Sequence, residues 1–312
     1  MLEVIVGRFP PPIGGVSVFV QRKFESLKDH GAASLDFGNK AWFRELLGYI
    51  FDRNCVFLLN SANLSILAVF FFLGLLPRTV LYDHNASRHF WKSRYSAFAY
   101  RFFIGRLKEV RVVHSHLIDG YAKRGFMEKV VVESPFLPPR KESRGQILET
   151  YPDDVLNFIN DRDAFRVVSA AWRYNVDANG FDVYGIATVV GLLRSLRTGG
   201  VNARLLLAFA EFNESDMPKA LLHEIRTLRE LGALVILDGQ RELWPVFESA
   251  NLFLRLTSTD GESVSVLEAL YFNCAVIASD VVPRPAEVVT YRYGDSVDLL
   301  NKVVENYKRI SC

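Results

Sequence analysis

Short apolar runs alternate with stretches of helical period along almost the whole chain. Leu2–Gly7 reads as a buried strand, broken by Pro10-Pro11-Pro12 and Gly14-Gly15 and followed by a helical stretch from about Val16 to Lys28. Further strand-like runs are Ala33–Phe37, Cys55–Asn60, Thr79–Asp83, Val110–His114 and Lys129–Glu133. Ser134-Pro135-Phe136-Leu137-Pro138-Pro139 predicts a stiff extended linker, because proline fixes its own φ and pushes its predecessor out of the helical region. The alternation then restarts with strands Phe165–Ala170, Ala203–Phe209, Leu234–Leu237, Leu252–Leu256 and Ala275–Ser279. Helical patterns cover Asp182–Leu196, Pro218–Leu231, Ser263–Phe272 and Val297–Tyr307. Strands alternating with helices imply βαβ units and mostly parallel sheets. The expectation is an α/β chain of two doubly wound, Rossmann-like domains, residues 1–137 and 138–312, facing a central crevice.

A length of 312 residues suits two domains, at roughly 100–200 residues each. The formal net charge of +2 conceals an asymmetry: residues 1–140 carry 19 Lys/Arg and 11 Asp/Glu, the remainder 18 and 24. The positive half suggests contact with something anionic, such as a membrane surface or a phosphorylated acceptor; uneven solvated surface charge explains it equally well. Cys55, Cys274 and Cys312 are odd in number and widely spaced, which indicates neither a disulfide framework nor a zinc site. The Asn-x-Ser matches at Asn63, Asn85 and Asn213 are then chance. The longest apolar run, Ile66–Leu76, is about half of the roughly 20 residues a membrane span needs, and the chain opens directly into a strand without a signal peptide. A cytoplasmic protein is expected, soluble or peripheral on the inner face of the membrane, with no nucleic-acid partner.

Ligands of open α/β sheets bind beyond the carboxyl ends of the strands, so the loops there are the candidates for chemistry. Gly14-Gly15 follows the first strand, where glycine admits close backbone approach and the next helix offers N–H groups to an anion; a plain turn is the other reading. The dinucleotide fingerprint G-x-G-x-x-G is absent, which speaks against a dehydrogenase. Thr257-Ser258-Thr259-Asp260-Gly261-Glu262-Ser263-Val264-Ser265 leads from a strand into a helix. Amides from Glu262 through Ser263 and Val264 to Ser265, with the two serine hydroxyls, suit a diphosphate. Asp260 and Glu268 flank that site, and carboxylates accept from sugar and ribose hydroxyls; a capped helix with a surface acid is the alternative. His114 and His116 share one strand face, but no third ligand is spaced to join them in a metal site.

The stretch from Asp260 to Glu268 resembles the E-x7-E motif of the large retaining GT-B glycosyltransferase family known as family 4. Asn273-Cys274-Ala275-Val276-Ile277-Ala278-Ser279-Asp280 looks like that family's following turn and strand, although the family usually has glycine where Asn273 or Cys274 stands. Gly14-Gly15 matches its N-terminal glycine loop, Ser134–Pro139 its inter-domain linker, and Tyr184-Gly185 its second phosphate loop. The resemblance implies a nucleoside-diphosphate sugar as donor substrate, no cofactor, no metal at the phosphates and retention of anomeric configuration. It assigns Glu268 to the donor ribose, Asp260 to hydroxyls of the transferred sugar, the amides Glu262–Ser265 to the diphosphate, and Asp238-Gly239-Gln240 to the nucleobase. Arg173 matches the arginine that neutralises the leaving diphosphate, a task suited to a permanent charge on a planar fork. His84 resembles the family histidine near the reacting centre, where its titration range would make activity pH-sensitive.

Two departures stand out. Asn179–Gly185 holds no basic residue where the family has a lysine, with Tyr184 near its place, and the first acid is aspartate. Glu262, on the same loop, is the alternative sugar ligand. Trp91, Tyr95, Phe98 and Phe102 form one helical stripe, surrounded by Arg88, Lys92, Arg94, Arg101, Arg106 and Lys108. Such a helix can lie on an anionic membrane or pack its stripe on the N-terminal sheet. The expected function is sugar transfer to a glycan or lipid-linked acceptor in cell-surface polysaccharide or glycoconjugate synthesis. A catalytically silent module binding a nucleotide sugar or a partner protein is the alternative, and a nucleotide-sugar epimerase or hydrolase comes third.

Overall fold

The computed structural model describes residues 2–84, 86–113, 115–178, 180–260 and 263–311, apart from the side chains of Arg88, His116 and Ser311. The chain divides into two compact units, Met1–Leu137 and Pro138–Cys312. The first contains strands β1 (Leu2–Gly7), β2 (Ala33–Asp36), β3 (Cys55–Leu59), β4 (Thr79–Asp83), β5 (Glu109–Val112) and β6 (Val130–Val132). The second contains β7 (Phe165–Ala171), β8 (Ala203–Phe209), β9 (Leu234–Asp238), β10 (Leu252–Arg255), β11 (Ala275–Ser279) and β12 (Val289–Tyr291). Each set forms one six-stranded sheet, ordered β2-β1-β3-β4-β5-β6 and β12-β11-β10-β7-β8-β9, and every pairing is parallel.

Helices cover both faces of each sheet, and this is why the central strands read as unbroken apolar runs. In the first unit Val4, Val6, Phe57, Leu59 and Leu81 enter one core. The alternate residues Ile5, Val56, Leu58, Val80 and Tyr82 pack with Phe19 and Val20 of the helix Gly15–Leu27 on the other face. The second unit splits in the same way, Val167, Leu205, Leu207 and Leu254 to one side and Val168, Leu206, Val235 and Phe253 to the other. Gly7 ends β1 where helix and strand come closest: a Cβ there would lie 2.8 Å from Val20 Cγ2.

Each sheet reverses its strand order once. The chain goes from β1 outward to β2 and returns to β3 on the other side of β1; it goes from β7 through β8 to β9 and returns to β10 on the other side of β7. These reversals are the points where open α/β sheets take their ligands.

Several elements differ from the sequence-based expectation. The helix expected from Asp182 begins at Ile186, for a reason given below. The short edge strand β12 and the helices Trp42–Gly48, Leu64–Phe72 and Asp153–Asn160 were not separated by periodicity. Leu64–Phe72 is apolar nearly all round, so it shows no amphipathic stripe. No helix among the described residues is long and apolar enough to cross a membrane.

Candidate functional site

In the second unit Arg173 follows β7 and the stretch from Asp260 to Glu268 follows β10, the two strands of the order reversal, while Asp238-Gly239-Gln240 closes the edge strand β9. The helix Val264–Tyr271 starts after β10 with Ser263 as N-cap, and the Ser263 side chain makes no capping bond. Amides of a first helical turn have no intrahelical acceptor, so those of Ser263, Val264 and Ser265 suit an anion. Glu268 lies buried in the same helix. Its charge reaches Tyr151, whose phenol is pushed up first by burial and then by Glu268. The Tyr151 hydroxyl donates to the Glu242 carbonyl, and Arg241 Nη1 donates to the Thr150 carbonyl, which ties the loop after β9 to this corner. In that loop Gly239 has φ +94°, a left-handed conformation that glycine adopts without strain. The Asp238 carboxylate beside it accepts from the Gly239 amide at 2.7 Å and the Phe212 amide at 2.9 Å; Gln240 follows, partly exposed.

Asp260 is held differently from the sequence-based expectation. Its carboxylate accepts from Arg255 Nε at 3.0 Å, Arg255 Nη2 at 2.9 Å and Arg284 Nη1 at 2.9 Å. Burial by itself would raise its pKa, but the bonds and charges of Arg255 and then Arg284 outweigh burial and hold the carboxyl below its ordinary value. An acid already committed to two guanidinium groups has little acceptor capacity left for a sugar hydroxyl. Glu262, the alternative sugar ligand, lies outside the described residues, as does Gly261.

The Tyr184-Gly185 loop also departs from its expected role. Asp182 accepts from the amides of Tyr184 at 3.1 Å, Gly185 at 3.0 Å and Ala187 at 2.9 Å. A carboxylate of the chain itself therefore occupies this helix N-terminus, where a phosphate was expected, and it delays the helix to Ile186. Gly185 has φ +68°, and a Cβ on it would sit 2.7 Å from the Leu256 carbonyl oxygen. The Ser258 amide donates to the Val183 carbonyl at 2.9 Å, so the loop is seated on the end of β10. Arg173, two residues beyond β7, is exposed, with Nη1 4.0 Å from Glu211 Oε2. Such a loose surface pair leaves the guanidinium able to meet an anion.

In the first unit Gly14-Gly15 lies between β1 and its helix, and the Gly14 amide donates to Ser17 Oγ at 2.9 Å. Between the adjacent carboxyl ends of β3 and β4, His84 Nε2 lies 3.0 Å from Asn60 Oδ1. Asn60 Nδ2 donates to the Leu58 carbonyl at 3.1 Å, which turns Oδ1 toward the histidine and makes Nε2–H the donor. The imidazole packs edge-on against Phe19 and stacks with Tyr82. Burial pushes its pKa down to about 4, against weaker upward pulls from Asp83 and Glu133. The expected pH switch is therefore corrected: His84 is neutral from pH 6 to 8, a hydrogen-bonding group without a titrating charge.

The aromatic stripe divides. Trp91 packs on Phe90 and Tyr121 beneath Arg124, and Phe102 packs on Phe71 beneath Arg106. Tyr95 and Phe98 stay 90% and 74% exposed, and Phe72 of a neighbouring helix 83%. Lys92, Arg94, Arg101, Arg106 and Lys108 are exposed around them. Among the described residues no three His, Cys, Asp or Glu side chains are grouped as metal ligands; His114 and the His116 side chain lie outside them.

No model of a known protein family matches the chain. The GDP-mannose:cellobiosyl-diphosphopolyprenol alpha-mannosyltransferase of Xanthomonas campestris is 27% identical over 150 residues, covering 40% of this chain and 39% of that protein. The match thus spans about two fifths of that relative's length. Among solved structures, Anabaena HepE in complex with UDP superposes with a TM-score of 0.62 at 13% identity, covering 99% of this chain and 91% of that one. The trehalose-6-phosphate synthase OtsA gives 0.63 at 11% identity, covering 98% and 91%. WaaG, a glycosyltransferase of lipopolysaccharide biosynthesis, gives 0.54 at 13% identity, covering 99% and 90%. At these identities the likeness is one of fold: the chain has the GT-B fold, with a parallel Rossmann-like sheet in each unit.

Proposed function

We propose that this chain is a glycosyltransferase that uses a nucleoside-diphosphate sugar, with the donor bound by Pro138–Cys312. One observation carries the reading: the uncapped N-terminus of Val264–Tyr271 opens at the β7–β10 reversal, with buried Glu268 inside the same helix and exposed Arg173 on the adjoining strand end. Amides and an exposed arginine suit a diphosphate, and an internal carboxylate suits ribose hydroxyls. The loop Asp238-Gly239-Gln240 is assigned to the nucleobase. With Asp260 held by arginines, the sugar hydroxyls fall to Glu262. The solved neighbours that bind UDP, and the relative named for GDP-mannose and a diphosphopolyprenol-linked acceptor, support the donor class and a glycan or lipid-linked acceptor.

Retention of configuration and membership of family 4 belong to the same reading, as does a role in surface polysaccharide synthesis. Met1–Leu137, with Gly14-Gly15 after β1 and His84 after β4, is assigned to the acceptor. The exposed Phe72, Tyr95 and Phe98 among basic side chains are assigned to an anionic membrane surface, where a lipid-linked acceptor resides. The test is timed product analysis with a panel of nucleotide sugars and lipid-linked glycans. Sugar transfer with a retained anomeric centre is expected. Binding without turnover would favour a silent module, and turnover without an acceptor would favour a hydrolase or epimerase.

A further inference from the structure

The carboxyl ends of β10 and β11 hold a group of charges that the donor site as described does not use. Arg255 and Arg284 share the single carboxylate of Asp260, whose side chain is 6% exposed, so the three carry a net charge of +1. Arg255 uses Nε and Nη2 on Asp260 and directs Nη1 to the Ala170 carbonyl at 3.3 Å. Its guanidinium lies 5.5 Å from the ring centroid of Tyr184, beside the loop Asn179–Gly185, which has no basic residue of its own.

Arg284 is less completely satisfied. Nε donates to the Ser279 carbonyl at 3.3 Å and Nη1 to Asp260 at 2.9 Å. Nη2, between them on the same rigid plane, is buried without a hydrogen-bond partner, in a side chain only 3% exposed. The hydroxyls of Thr257 and Ser258 are likewise buried and unpartnered. Ser279 Oγ donates to the Thr257 carbonyl at 2.8 Å, so these groups form one corner, and the chain runs from it through Asp260 to the uncapped N-terminus of Val264–Tyr271. A guanidinium can only donate, and burying a donor without an acceptor is costly. An anionic oxygen is the kind of acceptor that the guanidinium and the helix amides each lack, and one that the hydroxyls can also donate to.

We propose that Arg284 is a diphosphate-binding residue, and that Asp260 positions it, with Arg255, as a fixed positive unit at the mouth of the donor helix. This rests on the donor-site reading above. Arg284 is the residue to change, because Asp260 keeps its two-pronged bond to Arg255 when Arg284 is lost.

Calorimetry on the full chain with UDP, GDP and inorganic pyrophosphate separates the possibilities. Arg284→Gln is expected to weaken every diphosphate that binds the parent by about tenfold or more, with a ligand-free melting temperature lowered by loss of the buried bond to Asp260 but still above the assay temperature. Arg284→Lys keeps the charge but not the second amino group, so it should fold and recover only part of the affinity. Parental affinity in both variants overturns the assignment while leaving the donor site standing. If Arg284→Gln does not fold, parental affinity in Arg284→Lys overturns it by itself. A parent chain that binds none of the three ligands refutes the donor-site reading, and the assignment with it.

Discussion

Acidification should destabilise the first unit through one side chain. His84 has an ordinary pKa of 6.5, which burial depresses to about 4 in the fold. The folded state then binds fewer protons than the unfolded chain between those values, so stability rises with pH across the window. The contribution is intact above pH 6.5 and is lost as pH falls toward 4. At about 1.36 kcal/mol per pKa unit, the whole window is worth at most about 3.4 kcal/mol, of which about 2 kcal/mol is already lost at pH 5. Asp83 and Glu133 pull in the opposite direction, and many carboxylates titrate nearby, so the parent profile alone does not isolate the histidine. The comparison with His84→Gln does, because a glutamine amide can still donate to Asn60 Oδ1 and has no charge to gain. Denaturant midpoints of both proteins at pH 7, 6 and 5 should converge by about 2 kcal/mol as the pH falls. Parallel profiles would show that His84 is solvated or protonated in the fold, and would refute the neutral, Asn60-bonded imidazole.

Gly185→Ala must place a side chain at φ +68° and a Cβ 2.7 Å from the Leu256 carbonyl oxygen. Left-handed backbone alone costs roughly 1–2 kcal/mol, so a loss of about 2–4 kcal/mol and a melting temperature lower by roughly 5–10 °C are expected; a shift under one degree would show the contact to be loose. Glu268→Gln should weaken nucleoside-diphosphate binding by roughly 10- to 150-fold. Glu262→Gln should spare that binding and lower turnover, since it acts on the sugar; a fully active Glu262→Gln would return the sugar contact to Asp260. Binding to anionic vesicles should weaken with salt, and Arg101→Ser should lose about 1 kcal/mol of it, whereas equal recovery on neutral vesicles would leave Tyr95 and Phe98 without a lipid role. Transfer activity should survive EDTA, because amides and arginines meet the phosphates; full loss restored by Mn²⁺ or Mg²⁺ would contradict that.

The parallel sheets were legible in the order of residues because strands buried on both faces are apolar nearly throughout: β3 is so at every position, β4 between Thr79 and Asp83, and β8 apart from Arg204. The restart after Ser134–Pro139 and the strand-to-helix passage at Thr257–Ser263 were legible for the same local reason: proline, glycine and capping residues act over a few positions. Pairings between distant segments were not. Nothing near Asp260 in the chain announces Arg284, which reaches it only because β10 and β11 lie side by side; the one local sign was Arg255, a charge closing an apolar strand. Asn60 carries no mark that it will orient His84, 24 residues away. His84 looked titratable because an isolated imidazole is; its depressed pKa comes from burial against Phe19 and Tyr82, which only the packed sheet supplies. Asp182 could be read as a helix start, but that its carboxylate would fill the N-terminus of its own helix depended on Gly185 turning left-handed against Leu256. Local propensity and periodicity act within a turn or a strand, while charge pairing and desolvation are set by whichever segments tertiary packing brings within a few ångströms.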